Sequence, residues 1–433
     1  MSNAALGLAG FVLALTLIGL GLPVAIAMST VGVIGYWLLH GWAGVAFSLG
    51  STPFESVFPY SFSVIPLFVL MGVFASHAGL SRSLFDMLNS FFGHIRGGLA
   101  VTTIGASALF GSICGSSLAT VATIGRVAMP EMRRHGYDDS LSAATVAAGG
   151  TLGVMIPPSI LLVIYGLLTQ SSIGKLFMAA LIPGVLGTFL YAAVVLAQTR
   201  MNPKVAPKAN RTPWSERMRL LSKIWPVILL FGLVIGGIYT GWFSPTEAAA
   251  VGAFGAFLLA LFSGGLTRKS LKATVVETAG LTGMIFFILI GAALFNAFLE
   301  STQLPQMIIQ QTEQLGMSRL TVMLLILVFY LVLGCFMDSI SMILLTVPLI
   351  APVVAEMGYD LIWFGIMVVT VAEVGLITPP VGMNLFVVQA TVPGLRQATV
   401  IRGIFPFVVA DIVRLGLLLA FPAIALWMTA ATP

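Results

Sequence analysis

The chain has 433 residues, of which 58% are hydrophobic and 8% are charged, and its formal net charge is +5. A soluble globular domain carries about 25% charged residues, so this composition excludes a soluble fold. The apolar residues form runs of about 15 to 25 residues, the length of helices that cross a membrane, whereas a transmembrane β-barrel has alternating segments of about ten. The sequence therefore predicts an all-α polytopic membrane protein.

Ten apolar stretches have the length of spanning helices, and the first of them lacks the basic flank of a signal peptide. In chain order they are 4–21, 23–40, 62–80, 141–169, 175–199, 224–242, 247–263, 281–299, 361–389 and 403–428. Four shorter stretches form two adjacent pairs, 98–111 with 116–129 and 319–334 with 339–353. Small polar residues join the members of each pair, so we expect two re-entrant helical hairpins.

The positive charge is confined to one predicted side of the membrane. With both hairpins re-entrant, 17 of the 20 Lys and Arg residues fall in the stretches 81–97, 126–140, 200–223, 264–277 and 390–402. By the positive-inside rule this side is cytoplasmic, so we expect both termini and the loop 41–61 outside. The basic segment 200–223 is interpreted as a cytoplasmic linker near anionic lipid headgroups, and not as a nucleic-acid patch.

The two halves of the chain share motifs at a nearly constant displacement. Gly-Tyr-Asp at 136–138 returns at 358–360, and the pairs Gly153 and Gly375, Pro157 and Pro379, and Gly111 and Gly334 are displaced by 222 or 223 residues. Each half then has five spanning helices and one hairpin. Because five is odd, the second half must be inserted upside down, which predicts an inverted repeat.

Each diproline interrupts a predicted span. Proline removes a backbone donor and clashes with the preceding turn, so 141–169 and 361–389 should unwind near the membrane midplane. Freed carbonyls, with the hydroxyls of Ser159 and Thr378, suit Na⁺, and half-helix N-termini suit an anion. The alternative is a proline kink satisfied by neighbouring helices, which the repetition of the motif beside each hairpin disfavours.

The hairpin tips at 111–117 and 334–341 are polar. Their glycines would also serve tight helix packing. Packing does not explain Ser116, Ser117, Asp338 and Ser339, which place hydroxyls and a carboxylate at membrane depth, so contact with a ligand or an ion is favoured. Asn384, which follows the second diproline, is a further polar candidate.

Other charges have simpler interpretations. Ser244 and Glu247 form the pattern of a capping box, and Asp411 and Arg414 are spaced to pair on one helix. Glu373 precedes the second break and is interpreted either as a proton carrier or as a tie between helices.

Five motifs together resemble the large membrane subunit of tripartite ATP-independent periplasmic (TRAP) transporters, from about residue 5 to 428. They are Gly-Ser-x-x-Gly-Ser-Ser at 111–117, Ile-Pro-Pro-Ser-Ile at 156–160, Ser-Ile-Gly-Lys-Leu-Phe at 172–177, Ser-Pro-Thr-Glu-Ala-Ala-Ala at 244–250 and Gly-Leu-Ile-Thr-Pro-Pro-Val-Gly at 375–382. The resemblance implies a Na⁺-coupled secondary transporter of the bacterial inner membrane. It would import a small organic anion, such as a dicarboxylate, a keto acid or sialic acid.

The resemblance also implies partners and a movement. A periplasmic binding protein would deliver the anion, and a small four-helix membrane subunit, expected as a separate chain, would complete the scaffold. The hairpin-bearing transport domain would move as an elevator. The implied domains are scaffold helices at 1–80, the first hairpin and broken helix at 81–174, scaffold helices with the linker at 175–263, an arm and helix at 264–299, the second hairpin and broken helix at 300–389, and a final scaffold helix at 390–433.

Sites follow from the motifs by the same resemblance. The first Na⁺ site would use Ser112, Gly153 and Pro157, with Ser61 or Ser63, and the second would use Gly334, Gly375, Thr378 and Val381. The substrate-binding residues would be Ser116, Ser117, Ser159, Asp338, Ser339 and Asn384. No Lys or Arg lies near the tips in the sequence, so hydroxyls, backbone N–H groups, helix dipoles and Na⁺ would have to neutralise the anion.

Competing classes fit the sequence less well. An ion channel would need a continuous symmetric pore, a membrane hydrolase would need a catalytic constellation at one depth, and an ATP-driven transporter would need a P-loop. The nearest rival is a proton-coupled organic anion transporter or antiporter that uses Asp338 or Glu373.

Overall fold

The computed structural model describes residues 2–208 and 211–429, and every regular element in those residues is helical. The α-helices are α1 (Asn3–Gly19), α2 (Val24–Glu55), α3 (Val64–His77), α4 (Leu80–Phe92), α5 (Gly98–Cys114), α6 (Ser117–Arg134), α7 (Asp139–Met155), α8 (Ile160–Thr169), α9 (Ile173–Met201), α10 (Trp214–Lys223), α11 (Trp225–Tyr239), α12 (Pro245–Phe262), α13 (Arg268–Ser301), α14 (Leu304–Gln314), α15 (Arg319–Gly334), α16 (Ser339–Glu356), α17 (Leu361–Gly375), α18 (Met383–Thr391), α19 (Gln397–Ala420) and α20 (Ala423–Leu426). The prediction of an all-α polytopic membrane chain is confirmed.

The predicted hairpins and breaks coincide with helix boundaries. Helices α5 and α6 form the first hairpin, and α15 and α16 form the second. The first predicted broken span is α7 followed by α8, which are bent by 43° at the break, and the second is α17 followed by α18. Both diproline bonds are cis.

Several stretches predicted as polar connections are helical instead. Helix α2 continues through the predicted loop 41–61 as far as Glu55, with a kink at Gly41, whose φ is +69°. Helix α13 begins at Arg268 and so includes most of the predicted arm 264–277. The sequence from Arg268 to Ala279 contains neither glycine nor proline, so a polar surface does not end the helix there.

Packing divides the helices into two groups. Helices α1, α2 and α3 pack with α11, α12 and α13, whereas α9 and α19 pack on α7 and on each other. By their contacts, α9 and α19 therefore belong with the hairpin helices. The sequence had assigned both to the scaffold, in the ranges 175–263 and 390–433. Small residues of α9 explain the contact, because a Cβ on Gly184 would meet Ile156 of the first break. Which group moves stays a prediction.

The two halves repeat local geometry as well as sequence. Gly136 and Gly358 both have a positive φ, 71° and 77°. The following aspartates cap the next helices: Oδ1 of Asp138 accepts from the backbone N–H of Ser140 at 2.9 Å, and Oδ1 of Asp360 accepts from that of Ile362 at 2.7 Å. The repeated Gly-Tyr-Asp motif thus has the same local geometry in both halves, and the inverted repeat stays a prediction.

Candidate functional site

Each hairpin contacts its broken helix through a pair of glycines. A Cβ added to Gly111 would lie 2.6 Å from the Cα of Gly153, and a Cβ added to Gly375 would lie 2.5 Å from the Cα of Gly334. Real Cβ atoms do not approach other atoms so closely, so only glycine permits these backbone contacts. The four predicted glycines therefore hold the two tips against the two breaks.

The first tip is built from helix ends. Ser116 caps α6, its Oγ accepting from the N–H of Ala119 at 3.3 Å, and Ser159 caps α8 by accepting from that of Leu162 at 3.3 Å. Gly115, between the hairpin helices, has φ +67° and packs on Ile160 at the start of α8. Two helix N-termini, with their partial positive charge, therefore begin at this tip.

Two residues of the first predicted Na⁺ site, Ser112 and Gly153, lie together. The Oγ of Ser112 donates to the carbonyl of Leu109 at 2.8 Å, and Gly153 packs against Gly111 and the backbone of Ser112. Ser61 is exposed and Ser63 donates to the carbonyl of Tyr60 at 2.6 Å.

Helix α3 reaches the tip elsewhere. Gly72 packs on the backbone of Cys114. It lies nine residues beyond Ser63, about 13 Å along an α-helix. The structure therefore brings Gly72 to the first tip, and the roles of Ser61 and Ser63 stay a prediction.

The second tip and break are joined through the backbone. The N–H of Gly382 donates to the carbonyl of Cys335 at 3.2 Å, and the N–H of Asn384 donates across the break to the carbonyl of Leu376 at 3.0 Å. The Oγ1 of Thr378 donates to the carbonyl of Val374 at 2.7 Å. Because this hydroxyl donates, the bond leaves the lone pairs of its oxygen unused, and the second Na⁺ site stays a prediction.

Asp338 has a structural task. It caps α16, and its Oδ2 accepts from the N–H of Ser341 at 3.0 Å. The carboxylate predicted to face the ligand is thereby tied to a helix N-terminus, which stabilises its negative charge.

The two tips meet at one carboxylate. Glu373 on α17 is fully buried, and it accepts hydrogen bonds from the hydroxyls of Ser117 and Ser339, the latter at 2.9 Å. Each serine is the first residue of the second helix of its hairpin, so Glu373 links the first hairpin to the second. The sequence marked Glu373 as a carboxylate in an apolar run, but not its two partners from opposite halves of the chain.

Asn384 also links the halves. It is fully buried, and its Nδ2 donates to the carbonyl of Ala147 on α7 at 3.2 Å. Its Oδ1 has no hydrogen-bond partner among the described residues. Gly150 on α7 is close to the carbonyl of Ser117 and to Asn384, so these groups share one region with the first tip. Three predicted substrate residues thus link the two halves of the chain, namely Ser117, Ser339 and Asn384. The other three, Ser116, Ser159 and Asp338, cap helix N-termini.

A buried ion pair lies beside the first break. The Nη2 of Arg414 is 2.8 Å from the Oδ1 of Asp411, as their spacing predicted, and Tyr191 donates to Asp411. Arg414 packs near Gly187 and Leu152, the residue before Gly153. The sequence showed no Lys or Arg near the tips, whereas the fold brings this one to the helix that ends at the first break. The capping box of Ser244 and Glu247 is also present.

Comparisons with known proteins agree on one family. The family described as "Tripartite ATP-independent periplasmic transporter, DctM component" matches residues 11–424. The C4-dicarboxylate TRAP transporter large permease protein DctM of Pseudomonas aeruginosa is 39% identical, over 88% of each chain. The sialic acid TRAP transporter permease protein SiaT of Haemophilus influenzae is 35% identical over 83% of this chain, which spans 58% of that protein.

A solved structure matches the fold. The YdaH transporter of Alcanivorax borkumensis superposes with a TM-score of 0.66 at 16% identity, over 94% of this chain and 97% of that one. At this identity the similarity concerns the fold alone.

Proposed function

The chain belongs to the DctM-component family and is the large membrane subunit of a TRAP transporter, and from this we propose that it imports a small organic anion together with Na⁺. The observation that carries the proposal is the meeting of both hairpin tips at Glu373, where each tip also packs on a broken helix. Polar groups from both halves of the chain thus surround one buried region, as expected of a central transport site.

The ligand chemistry supports an anion and a hard cation. Helices α6 and α8 begin at the first tip and have neutral serine caps, so two positive dipole ends are available to a carboxylate, whereas the N-terminus of α16 is already occupied by Asp338. Hydroxyl and carbonyl oxygens at Ser112, Gly153, Gly375 and Thr378 suit Na⁺. Relatives named for C4-dicarboxylate and sialic acid transport make a carboxylate the proposed substrate class.

The proposed movement follows the packing groups. We propose that α5 to α9 and α15 to α20 travel as one body against α1 to α3 and α11 to α13. The hydrogen bonds at Glu373 support a joint movement, since they tie the two hairpins to each other. This body includes α9 and α19, which the sequence had assigned to the scaffold.

The proposal includes two partners. A periplasmic binding protein would deliver the anion. A small four-helix membrane subunit would cover the apolar outer surface of the group formed by α1 to α3 and α11 to α13. Exposed side chains on that surface include Trp37, Phe47 and Phe254. The complex would reside in the bacterial inner membrane with both termini of this chain outside.

Uptake into proteoliposomes tests the coupling ion. The chain is reconstituted with its small subunit and binding protein, and uptake of radiolabelled C4-dicarboxylate and of sialic acid is measured with an inward Na⁺ gradient at fixed pH. We expect uptake to stop when K⁺ or choline replaces Na⁺. Undiminished uptake under a proton gradient without Na⁺ would instead support the proton-coupled alternative through Glu373 or Asp338.

A further inference from the structure

A cavity lies far from the hairpin tips. It has a volume of about 680 Å³ and is lined by the start of α7, the end of α9 and the start of α19. Asp139 begins α7 and Gly153 lies near its other end, so the cavity is about 20 Å along the helix from the first break. Ligand sites typically have volumes of roughly 300–1,000 Å³, so this cavity is large enough for a small molecule or a lipid headgroup.

Two arginines line this cavity. Arg396 and Arg402 are exposed, and neither forms a salt bridge with any residue in 2–208 or 211–429. Arg133 nearby is different, because it donates to Asp139 at 2.8 and 2.9 Å and to the carbonyl of Pro393 at 3.0 Å. The hydrogen bond with Asp139 raises the pKa of Arg133. The guanidinium of Arg133 is therefore already hydrogen-bonded within the protein, whereas those of Arg396 and Arg402 are available to a ligand.

The remaining polar lining suits a phosphate. Gln198, Asn202 and Thr399 contribute amide and hydroxyl groups. Asp138 is the lining carboxylate, and its Oδ1 already accepts from the N–H groups of Ser140 and Leu141. That negative charge is compensated by the N-terminus of α7, so the arginines dominate the charge of the cavity.

The cavity continues into an apolar surface. On α19, Arg402, Phe405, Val409 and Ile412 follow at spacings of three and four residues, so they share one face. The side chains of Phe405, Val409 and Ile412 are 55% to 57% exposed, as expected where a helix contacts acyl chains. A phosphate held by the arginines would therefore place attached acyl chains along this face.

The charge distribution of the chain gives the source of the phosphate. The stretches 126–140, 200–223 and 390–402, which supply or flank the cavity, were all predicted to be cytoplasmic. Anionic phospholipids give the cytoplasmic surface of a membrane a negative potential, and basic pockets between helices on that side bind anionic headgroups. We propose that this cavity binds the headgroup phosphate of an anionic phospholipid, with Arg396 and Arg402 as the ligands and α19 as the support for its acyl chains.

Native mass spectrometry of the purified full chain tests the proposal. The protein is exchanged from detergent containing equal amounts of phosphatidylglycerol and phosphatidylcholine, and the lipid-bound fractions are measured. We expect selective retention of phosphatidylglycerol, and at least a fivefold lower retention in the double variant R396Q/R402Q. The double variant R396K/R402K keeps both charges and should retain most of the binding, which separates loss of charge from damage to the fold.

Arg126→Gln is the matched control, because Arg126 is an exposed arginine whose Nε donates to the carbonyl of Ala122 outside the cavity. It should retain lipid like the wild type. Equal retention by the wild type and R396Q/R402Q would overturn the proposal, as would equal retention of the two lipids. Displacement of the lipid by millimolar inorganic phosphate, with the same dependence on both arginines, would show a site for a free anion and would also overturn it.

Discussion

The two breaks differ in their surroundings although their motifs match. Ser159 and Val381 occupy equivalent positions, 222 residues apart, yet Ser159 is fully buried and Val381 is half-buried. The first break separates its helices by the four residues 156–159, whereas the second separates them by the seven residues 376–382. Pro380 of the second break is exposed, and its counterpart Pro158 is buried. The structure therefore shows one sealed break and one open break in a single conformation.

The neighbours explain the difference. The first break is covered by Gly184 of α9, which packs on Ile156, and by Gly115 of the first tip. The second break is tied to its tip by the hydrogen bond from Gly382 to Cys335. Two related sites with unequal access are what alternating exposure of a repeat predicts, and the following variants test that relation, beginning with the largest expected effect.

Removing the carboxylate shared by the tips should have the largest effect. In Glu373→Ala, the buried hydroxyls of Ser117 and Ser339 lose their acceptor, at a cost of about 1–3 kcal/mol each. We expect at least a tenfold loss of uptake together with a lower apparent Tm in detergent.

Glu373→Gln separates hydrogen bonding from charge. The amide oxygen accepts from one serine, and the other hydroxyl must reverse to accept from the amide nitrogen. We expect a smaller decrease of Tm than for alanine, with uptake still impaired. Wild-type uptake by both variants would show that the two tips do not depend on this junction.

Alanine at equivalent hairpin glycines should destabilise the first half of the chain more than the second. In Gly111→Ala the new Cβ would lie 2.6 Å from the Cα of Gly153, whereas in Gly334→Ala, at the equivalent position, it would lie 3.0 Å from the Cα of Gly375. Overpacking costs about 1–3 kcal/mol, so we expect a clear fall in Tm for Gly111→Ala and a smaller one for Gly334→Ala.

Gly416→Ala is the control for both glycine variants. Gly416 is a helical glycine on α19 with no atom within 4 Å of an added Cβ. It should keep or slightly raise the Tm, because alanine favours the helix. A greater loss for Gly334→Ala than for Gly111→Ala would reverse the comparison of the two halves.

The sequence predicted local features better than tertiary partners. Glycine and proline act on their own segment, so the hairpins and both breaks were placed correctly. The C-terminal end of α2 and the N-terminal start of α13 were not predicted correctly. Hydropathy marks the membrane boundary, whereas a helix ends only at a capping or breaking residue. Nothing local to Glu373 or Arg414 specifies Ser117 or Leu152 as neighbours, since these contacts join residues more than 200 positions apart.

The Na⁺ dependence of uptake should change when the hydroxyl of Thr378, at the open break, is removed. Thr378→Val removes a hydroxyl at nearly constant volume, so we expect the Na⁺ concentration for half-maximal uptake to rise about three- to tenfold, a loss of up to about 1.4 kcal/mol. Thr391→Val is the matched control, because Thr391 donates to the carbonyl of Val387 at 2.9 Å in the same manner, away from the break. Unchanged Na⁺ dependence in Thr378→Val would place the second Na⁺ site elsewhere.

The smallest expected change is in labelling rates, and it tests the comparison directly. Single cysteines, Ser159→Cys and Val381→Cys, are made in a background with Cys114→Ala and Cys335→Ala, and each is treated with a small maleimide. In the conformation described here, position 381 should react and position 159 should resist, because only the second break is open. If the two halves exchange conformations during transport, conditions that slow labelling at 381, such as saturating Na⁺ and substrate, should accelerate it at 159. Since Ser159 also caps α8, its variant is used only if its Tm stays close to that of the background. Rates that rise or fall together would show that the sealed and open breaks are permanent features of two unlike sites, and not alternating states of one repeat.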